Sequence, residues 1–242
     1  MDWRGEGVLL SVRRHGESGA IIEIFTEEHG RHAGLVRGGA GRRMGPVLQP
    51  GAQLDVAWRG RLSEHLGTFT VEPVRARAGV LADRAALAGL GAVTALVSMA
   101  LAERMAYPAL YRRTVALLDL MEDAGPWPVQ YVGWELELLA TLGFGLDLSA
   151  CAVTGAETDL TWVSPRTGRA VCRAAGADWA DRLLPLPPFL RRDAGEAPIT
   201  ADDLRAGLRL TGYFLAHHLC PALNRDGVPP ARERLERAFA RL

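Results

Sequence analysis

The segment YVGWELELLATLGFGLDLSACAVTG, Tyr131–Gly155, decides how the chain is read. At about 100° per residue, Tyr131, Trp134, Leu138 and Leu142 form one helical stripe and Val132, Leu136 and Leu139 a second, so apolar residues cover more than half the circumference. A helix of that kind belongs in the middle of a helical domain, not on its rim. Glu135 falls between the stripes, and a carboxylate buried there needs a cationic or hydrogen-bonding partner to offset its lost hydration. Glu137 points the other way, toward water. Gly143 and Gly145 end the helix, because glycine accepts the left-handed conformation that satisfies the last carbonyls. Leu146, Asp147, Leu148 and Ser149 then lead into Cys151.

Toward the N-terminus the pattern is that of strands. The runs GVLLSVRR, AIIEIFTEE, HAGLVRG, AQLDVAWRG and GTFTVEPV, within residues 6–75, are separated by turn clusters such as HGESG. Leu54, Val56 and Trp58 share one face, as do Phe69 and Val71, which is the alternation of a closed sheet with a filled interior. The longest gap, Gly38–Gly51, falls between the third and fourth runs; that spacing fits an OB-fold, and on the residues alone an SH3-like barrel as well.

From Leu81 the period changes. Residues 83–105 carry Leu87, Leu90, Val93, Leu96, Val97, Met99, Leu101 and Met105 almost all round, which predicts a buried helix. Pro108 opens a second helix with Leu110, Val115, Leu117, Leu118 and Met121, stopping near Gly125-Pro126, and the Tyr131 helix follows. Short connections predict an antiparallel bundle over 81–148. Residues 150–176 interrupt it with two β-like runs, LTWVSP and GRAVCR. Residues 183–192, LLPLPPFLRR, read as proline-fixed and extended. Thr200 caps a helix over 201–219, with Asp203 at its third position and Leu204, Leu208, Leu215 and Leu219 on one face. A last helix, Pro230 to Phe239, reads as charge-laced and exposed. The fold class is therefore α+β: a five-stranded barrel domain over 1–78, then a helical domain over 79–242 with a small insertion at 150–176.

Composition bounds the chemistry. The 242 residues are 48% hydrophobic and 23% charged, an ordinary globular balance, with a formal net charge of zero. No global field draws a polyanion, so a nucleic-acid site must come from local segregation of charge. All 28 basic residues are arginine, which excludes a Walker A lysine and a Schiff-base lysine, and with them the usual P-loop and pyridoxal chemistries. Cys151, Cys172 and Cys220 are too few and too scattered for a secreted disulfide framework. The start MDWRGEGVLL has no unbroken apolar core, and no run reaches the roughly 20 apolar residues needed to span a bilayer. A cytoplasmic protein without a membrane partner is the expectation.

Charge is segregated most clearly in residues 29–54, HGRHAGLVRGGAGRRMGPVLQPGAQL, which hold Arg31, Arg37, Arg42 and Arg43, two histidines and no acid. Glycine-spaced arginines on a strand and its following loop suit a phosphate backbone; equally, they suit a solvated loop whose arginines pair with acids from elsewhere. Arg13, Arg14, Arg59 and Arg61 are secondary candidates. GGAGRRMG lacks the G-x-G-x-x-G spacing and a crossover helix, so a dinucleotide loop is rejected. His217 and His218 point about 100° apart on a helix and do not converge on one metal, and no orienting third group makes a nucleophile of Cys220.

In GFGLDLSACAVTG, 143–155, and in the order of elements over most of the chain, the sequence resembles the bacterial RecO family of recombination mediators. The resemblance implies an N-terminal OB-fold that binds single- and double-stranded DNA, and it favours the phosphate reading of the basic strip. It also implies strand annealing, binding to the C-terminal tail of single-stranded DNA-binding protein, and cooperation with RecR in loading the RecA recombinase. Zinc-binding members carry two C-x-x-C pairs where this chain has its insertion. Here Cys151 matches the first ligand, Thr154 stands for the second, Cys172 matches the third and Ala175 stands for the fourth. Two thiolates do not complete a four-coordinate structural site, so the knuckle is expected to be degenerate and metal-free, held by Leu160, Trp162 and Val171. No cofactor and no catalysis are expected. The competing reading is a protein-interaction adaptor that binds no DNA; a hydrolase built on His217, His218 or Cys220 is the remaining one.

Overall fold

A computed structural model describes residues 1–62, 65–123, 125–193 and 198–240. Its first five strands, β1 (Asp2–His15), β2 (Gly19–Thr26), β3 (Gly30–Val36), β4 (Gln53–Arg59) and β5 (Thr68–Arg75), close into a barrel in the order β1-β2-β3-β5-β4. Neighbours are antiparallel except β3 and β5, which meet in parallel at Leu35 and Thr68. The interior holds the inward residues of each strand, among them Leu9, Ile22, Ile24, Val36, Leu54, Val56, Trp58 and Phe69. The alternation expected for Leu54, Val56, Trp58 and Phe69 is thus the alternation observed. β1 begins earlier than its apolar residues suggest: Asp2–Glu6, a polar run, is strand because it pairs with Arg59–Asp55 of β4. Long-range pairing overrides the weak local preference there.

Helices follow: α1 (Arg84–Ala100), α2 (Pro108–Glu122), α3 (Trp127–Thr141), a short hairpin β6 (Leu160–Val163) and β7 (Ala170–Cys172), α4 (Arg173–Gly176), β8 (Leu184–Pro185), α5 (Ala201–Phe214), α6 (Cys220–Ala222) and α7 (Pro230–Phe239). The chain is therefore α+β, with a five-stranded sheet first and helices after it. It forms two compact units: Met1–Gly125 with Pro229–Leu235, and Pro126–Val228 with the chain from Glu236 onward. α1 and α2 belong to the first unit with the barrel, and α3 to the second, so the expected bundle over 81–148 is not one body.

In the first unit α1 is capped by the Asp83 carboxylate, which accepts from the Ala85 N–H at 2.7 Å. It ends at Ala100, short of the predicted 105, because Leu101 turns extended and Arg104 is left-handed (φ 61°). Met105 is consequently exposed. Arg77, almost fully buried, donates to Asp119 of α2 and to the Gly51 carbonyl, both at 2.7 Å. Tyr111 of α2 accepts from Gln53 of β4 at 2.8 Å. Two buried polar ties therefore seat α2 on the barrel, and each would be costly to leave half-made.

In the second unit α3 packs against α5, with Val132 lying against Gly207. Gly143 is left-handed (φ 87°), and the N–H groups of Gly143 and Phe144 close back on the carbonyls of Ala140 and Leu139, as a Schellman end requires. Glu135 is fully buried, as the helical wheel placed it; it accepts from the Tyr131 hydroxyl at 2.6 Å and from the Thr211 hydroxyl of α5. Thr200 and Asp203 form a reciprocal capping box at the start of α5. The helix does not stop before Pro221. A π turn, Leu215–Leu219, carries it into α6, a change of hydrogen-bond register that accommodates a proline with no N–H to give. β8 adds a third strand to the β6–β7 hairpin inside the proline-rich segment. α7 is only partly exposed: Ala231, Arg232, Leu235 and Phe239 are buried.

Two stability predictions follow from buried polar groups. Glu135→Ala should cost about 3 kcal/mol, because it strands hydroxyl donors inside the second unit, whereas Glu137→Ala, at a half-exposed position, should cost less than about 1. Equal melting of the two variants would contradict the placement of Glu135. His32 is buried and its imidazole is held down to about 4, first by burial and then by Arg104 and His29. The unfolded chain takes up that proton first, so stability is full above pH 6.5 and falls as pH drops toward 4, by about 3 kcal/mol. His32→Phe should flatten this part of the denaturation profile; an unchanged slope would show that His32 does not cause it.

Candidate nucleic-acid interface

Five of the sequence-predicted arginines meet at one end of the barrel. Arg13 and Arg14 close β1, opposite Ile21 and Ala20 of β2, and Ala20 is in turn opposite Val36, the residue before Arg37. The loop after β3 winds through consecutive turns, with Gly41 N–H on the Gly38 carbonyl and Met44 N–H on the Gly41 carbonyl, both at 3.0 Å. Those turns carry Arg42 and Arg43 outward while Met44 and Val47 pack against the barrel core. The loop is fastened to the β1–β2 turn by the Ala40 N–H, which donates to the Ser18 carbonyl at 3.0 Å. Arg13, Arg14, Arg37, Arg42 and Arg43 are all exposed. Among the described residues none of the five is ion-paired with a carboxylate, although Glu17 is exposed in the same turn. Five unpaired guanidinium groups around one end of a net-neutral chain form a local positive surface, able to take phosphate oxygens at one or two donors each.

Arg31 and Arg59 are placed differently. Arg31 pairs with Glu23 on β2, and its Nε donates to the Leu101 carbonyl at 2.9 Å. Its side chain is 17% exposed, and the Ser98 hydroxyl braces Glu23 from α1. The acids absent from residues 29–54 reach Arg31 from the neighbouring strand, so this guanidinium fastens α1 to the barrel. Arg59 ends β4 opposite Asp2, whose carboxylate lies 3.9 Å away; it belongs to the other end of the barrel, as does exposed Arg61.

That other end holds a feature the sequence did not disclose. Trp3 stacks on His29 with ring centres 4.2 Å apart, and Trp58 lies parallel to Trp3 at 6.2 Å. Phe69 and His32 meet Trp3 edge-on. Trp3 sits in a polar run and His29 in a turn, so neither belonged to a periodic pattern; only the strand pairing of Trp3 with Trp58 could have linked them.

The insertion in the second unit tests a metal directly by its donors. The Cys151 sulfur accepts from the Cys172 N–H at 3.3 Å, and the Thr154 hydroxyl lies 3.6 Å from the Cys172 sulfur. Thr154 thus joins the two thiols by hydrogen bonding at the second ligand position, and Ala175 offers no donor at the fourth. The set does not fit tetrahedral zinc, which takes four nitrogen, sulfur or carboxylate ligands. Burial pushes the Cys151 thiol up, but the Cys172 N–H, the Thr154 hydroxyl and the N–H groups of Thr154 and Val153 outweigh it and hold it at about 6. In the π turn region His217 is exposed, His218 lies 2.8 Å from the Pro165 carbonyl through Nε2, and Cys220 is buried with its thiol pushed up by that burial. These three groups do not converge on a catalytic arrangement.

A closed five-stranded barrel with exposed arginines at one end, followed by helices and a small three-stranded sheet, defines the chain as a barrel-and-helix protein. The model for "Recombination protein O N terminal" matches residues 1–77, and that for "Recombination protein O C terminal" matches residues 81–226. The chain is 59% identical to the DNA repair protein RecO of Ruegeria sp. (strain TM1040), over all of this chain and 99% of the relative. It is 57% identical to that of Jannaschia sp. (strain CCS1), over all of this chain and 97% of the relative, and 55% to that of Cereibacter sphaeroides (strain ATCC 17029 / ATH 2.4.9), over 100% and 99%. The chain belongs to the RecO family of DNA repair and recombination proteins. No helix among the described residues is long and apolar enough to cross a membrane.

The knuckle yields a prediction. Because the folded Cys151 thiol ionises near 6 and the unfolded one near 9, the native state releases that proton first, so stability should rise from pH 6 to 9 and Cys151→Ala should remove the rise. Chelators should leave the melting temperature unchanged in the same experiment. About one zinc per purified chain, with melting lowered by chelation, would contradict the donor assignment.

Proposed function

We propose that this RecO-family chain is a recombination mediator that binds single- and double-stranded DNA through the arginine end of its barrel and anneals strands. With RecR it would load RecA onto DNA coated by single-stranded DNA-binding protein, whose C-terminal tail it would bind, acting in the cytoplasm by positioning rather than catalysis. The barrel, residues 1–78, is assigned the DNA contact and reads as an OB-fold; the strand order β1-β2-β3-β5-β4 supports that assignment. Residues 79–242 are assigned the protein partners, with 150–176 as a metal-free remnant of a zinc knuckle.

The observation that carries the reading is the gathering of Arg13, Arg14, Arg37, Arg42 and Arg43 by the Ala40–Ser18 hydrogen bond. Exposed arginines with no internal partner contribute little to folding, so their concentration on one end is best explained by an external polyanion. Phosphates are common to single and double strands, and contacts to them carry no sequence preference. Arg59 is a secondary contact at the far end. Arg31, engaged by Glu23 and Leu101, is assigned to bracing the barrel instead.

Replacing Arg37, Arg42 and Arg43 together by glutamine should weaken binding to all oligonucleotides alike. The slope of log affinity against log salt should flatten by about 0.7 per lost single-strand phosphate contact. The melting temperature should scarcely move. An adaptor that binds only proteins would instead show equally poor DNA binding before and after the change, and identical salt slopes would remove the strip from the interface.

A further inference from the structure

The aromatic column at the other end of the barrel is not explained by phosphate binding. It runs outward from the core: Trp58 is buried, Trp3 is partly exposed and stacked over it, and His29, stacked on Trp3, is the outermost ring and also partly exposed. A plug that served only to fill the barrel would end under a cover. This one ends at a rim of exposed apolar side chains, Leu62, Leu66 and Met105, which are 40% to 54% exposed. Beneath the column, His32 is buried edge-on to Trp3 and Trp58, and both of its ring nitrogens lack a hydrogen-bond partner. Such orphaned polar atoms are rare in native interiors and call for an explanation.

Charge of both signs borders the rim, with exposed Asp2, Glu28 and Glu103 beside the cations. Arg104 donates to the His65 carbonyl at 3.2 Å, tying the α1–α2 connection to the β4–β5 loop, and it is held in a left-handed conformation uncommon for arginine. Arg59 is in register with Asp2, the residue before Trp3, with its guanidinium 3.9 Å from the Asp2 carboxylate, and Arg61 is exposed in the loop beyond it. Flat aromatic surface bordered by guanidinium groups suits a nucleobase, whose π face stacks while its phosphate meets the cations; every base has such a face, so the contact needs no sequence.

We infer that the Trp58–Trp3–His29 column is a base-stacking platform for single-stranded nucleic acid, with an unstacked base extending the column beyond His29 and Arg104 and Arg59 beside its backbone. This rests on the DNA-binding reading above and adds a second contact, specific for unpaired bases, to the phosphate contact at the opposite end. The two ends would then divide the work: the arginine end holds any nucleic-acid backbone, and the column distinguishes a single strand from a duplex whose bases are already stacked.

The test compares an ordinary single-stranded oligonucleotide with an abasic one of equal length, each titrated across the same series of salt concentrations, using the full chain. Both carry the same phosphates, so only stacking separates them. The wild-type protein should bind the ordinary strand about tenfold or more tightly. His29→Ala should bring the ratio close to one with the salt slope unchanged, His29→Phe should retain it, and the variant lacking Arg37, Arg42 and Arg43 should lose salt slope but keep the ratio. A wild-type ratio of one, or an undiminished ratio in His29→Ala as expected if the rim takes a protein side chain, overturns the platform alone. Failure of the wild type to bind either strand overturns it together with the DNA-binding reading.

Discussion

Barrel closure between β3 and β5 is the constraint on which the first unit depends. Four strand pairings are antiparallel and can form between near neighbours or by simple return of the chain, but the fifth joins two strands in parallel through the Leu35 N–H on the Gly67 carbonyl at 3.1 Å. Gly34 makes that approach feasible, since a Cβ there would lie 2.5 Å from the Phe69 ring. Closure removes both sheet edges and so removes the usual route to edge-to-edge association. It also fixes which strand ends share a rim. Arg13, Arg14 and Arg37 are brought to one end because β1 and β3 both finish there, and Trp3, His29 and Trp58 to the other, where β1 and β3 begin and β4 ends.

The sequence disclosed the strands, the helices and most of the core because these obey short periods. Leu54, Val56 and Trp58 alternate, and the Tyr131 helix shows its two stripes with Glu135 between them. What it hid depends on partners far along the chain. Asp2–Glu6 is strand only because β4 lies beside it. Arg31 read as a free cation because its own segment has no acid, while Glu23 sits on the adjacent strand in register to reach it. The early end of α1 at Ala100 follows from the left-handed turn at Arg104 and its tie to the barrel, and no apolar period records such a tie. The arginines of the candidate interface were named individually, yet their sharing of one rim came from register, and the aromatic column carried no local signal at all.

A common physical pattern joins the barrel to the knuckle. This chain fixes geometry with directed hydrogen bonds and guanidinium groups. The Thr154 hydroxyl lies 3.6 Å from the Cys172 sulfur, and amide N–H groups with that hydroxyl hold the Cys151 thiol low. Glu135 is held by hydroxyls of Tyr131 and Thr211. Arg77 inside the first unit spends its donors on Asp119 and Gly51, whereas the five rim arginines keep theirs outward. Arg77 and Glu135 are buried with partners and costly to disturb, whereas the rim arginines are exposed, which separates residues that hold the fold from residues able to meet a ligand.

The central claim is that the barrel, through its rims, is the nucleic-acid surface. Hydrogen exchange of the full chain with and without a single-stranded oligonucleotide measures this residue by residue. Added protection in His15–Ser18 and Arg37–Gly45, with a second zone around His29, is the predicted result. Protection confined to the second unit, with the barrel rims unchanged at saturating oligonucleotide, would contradict it.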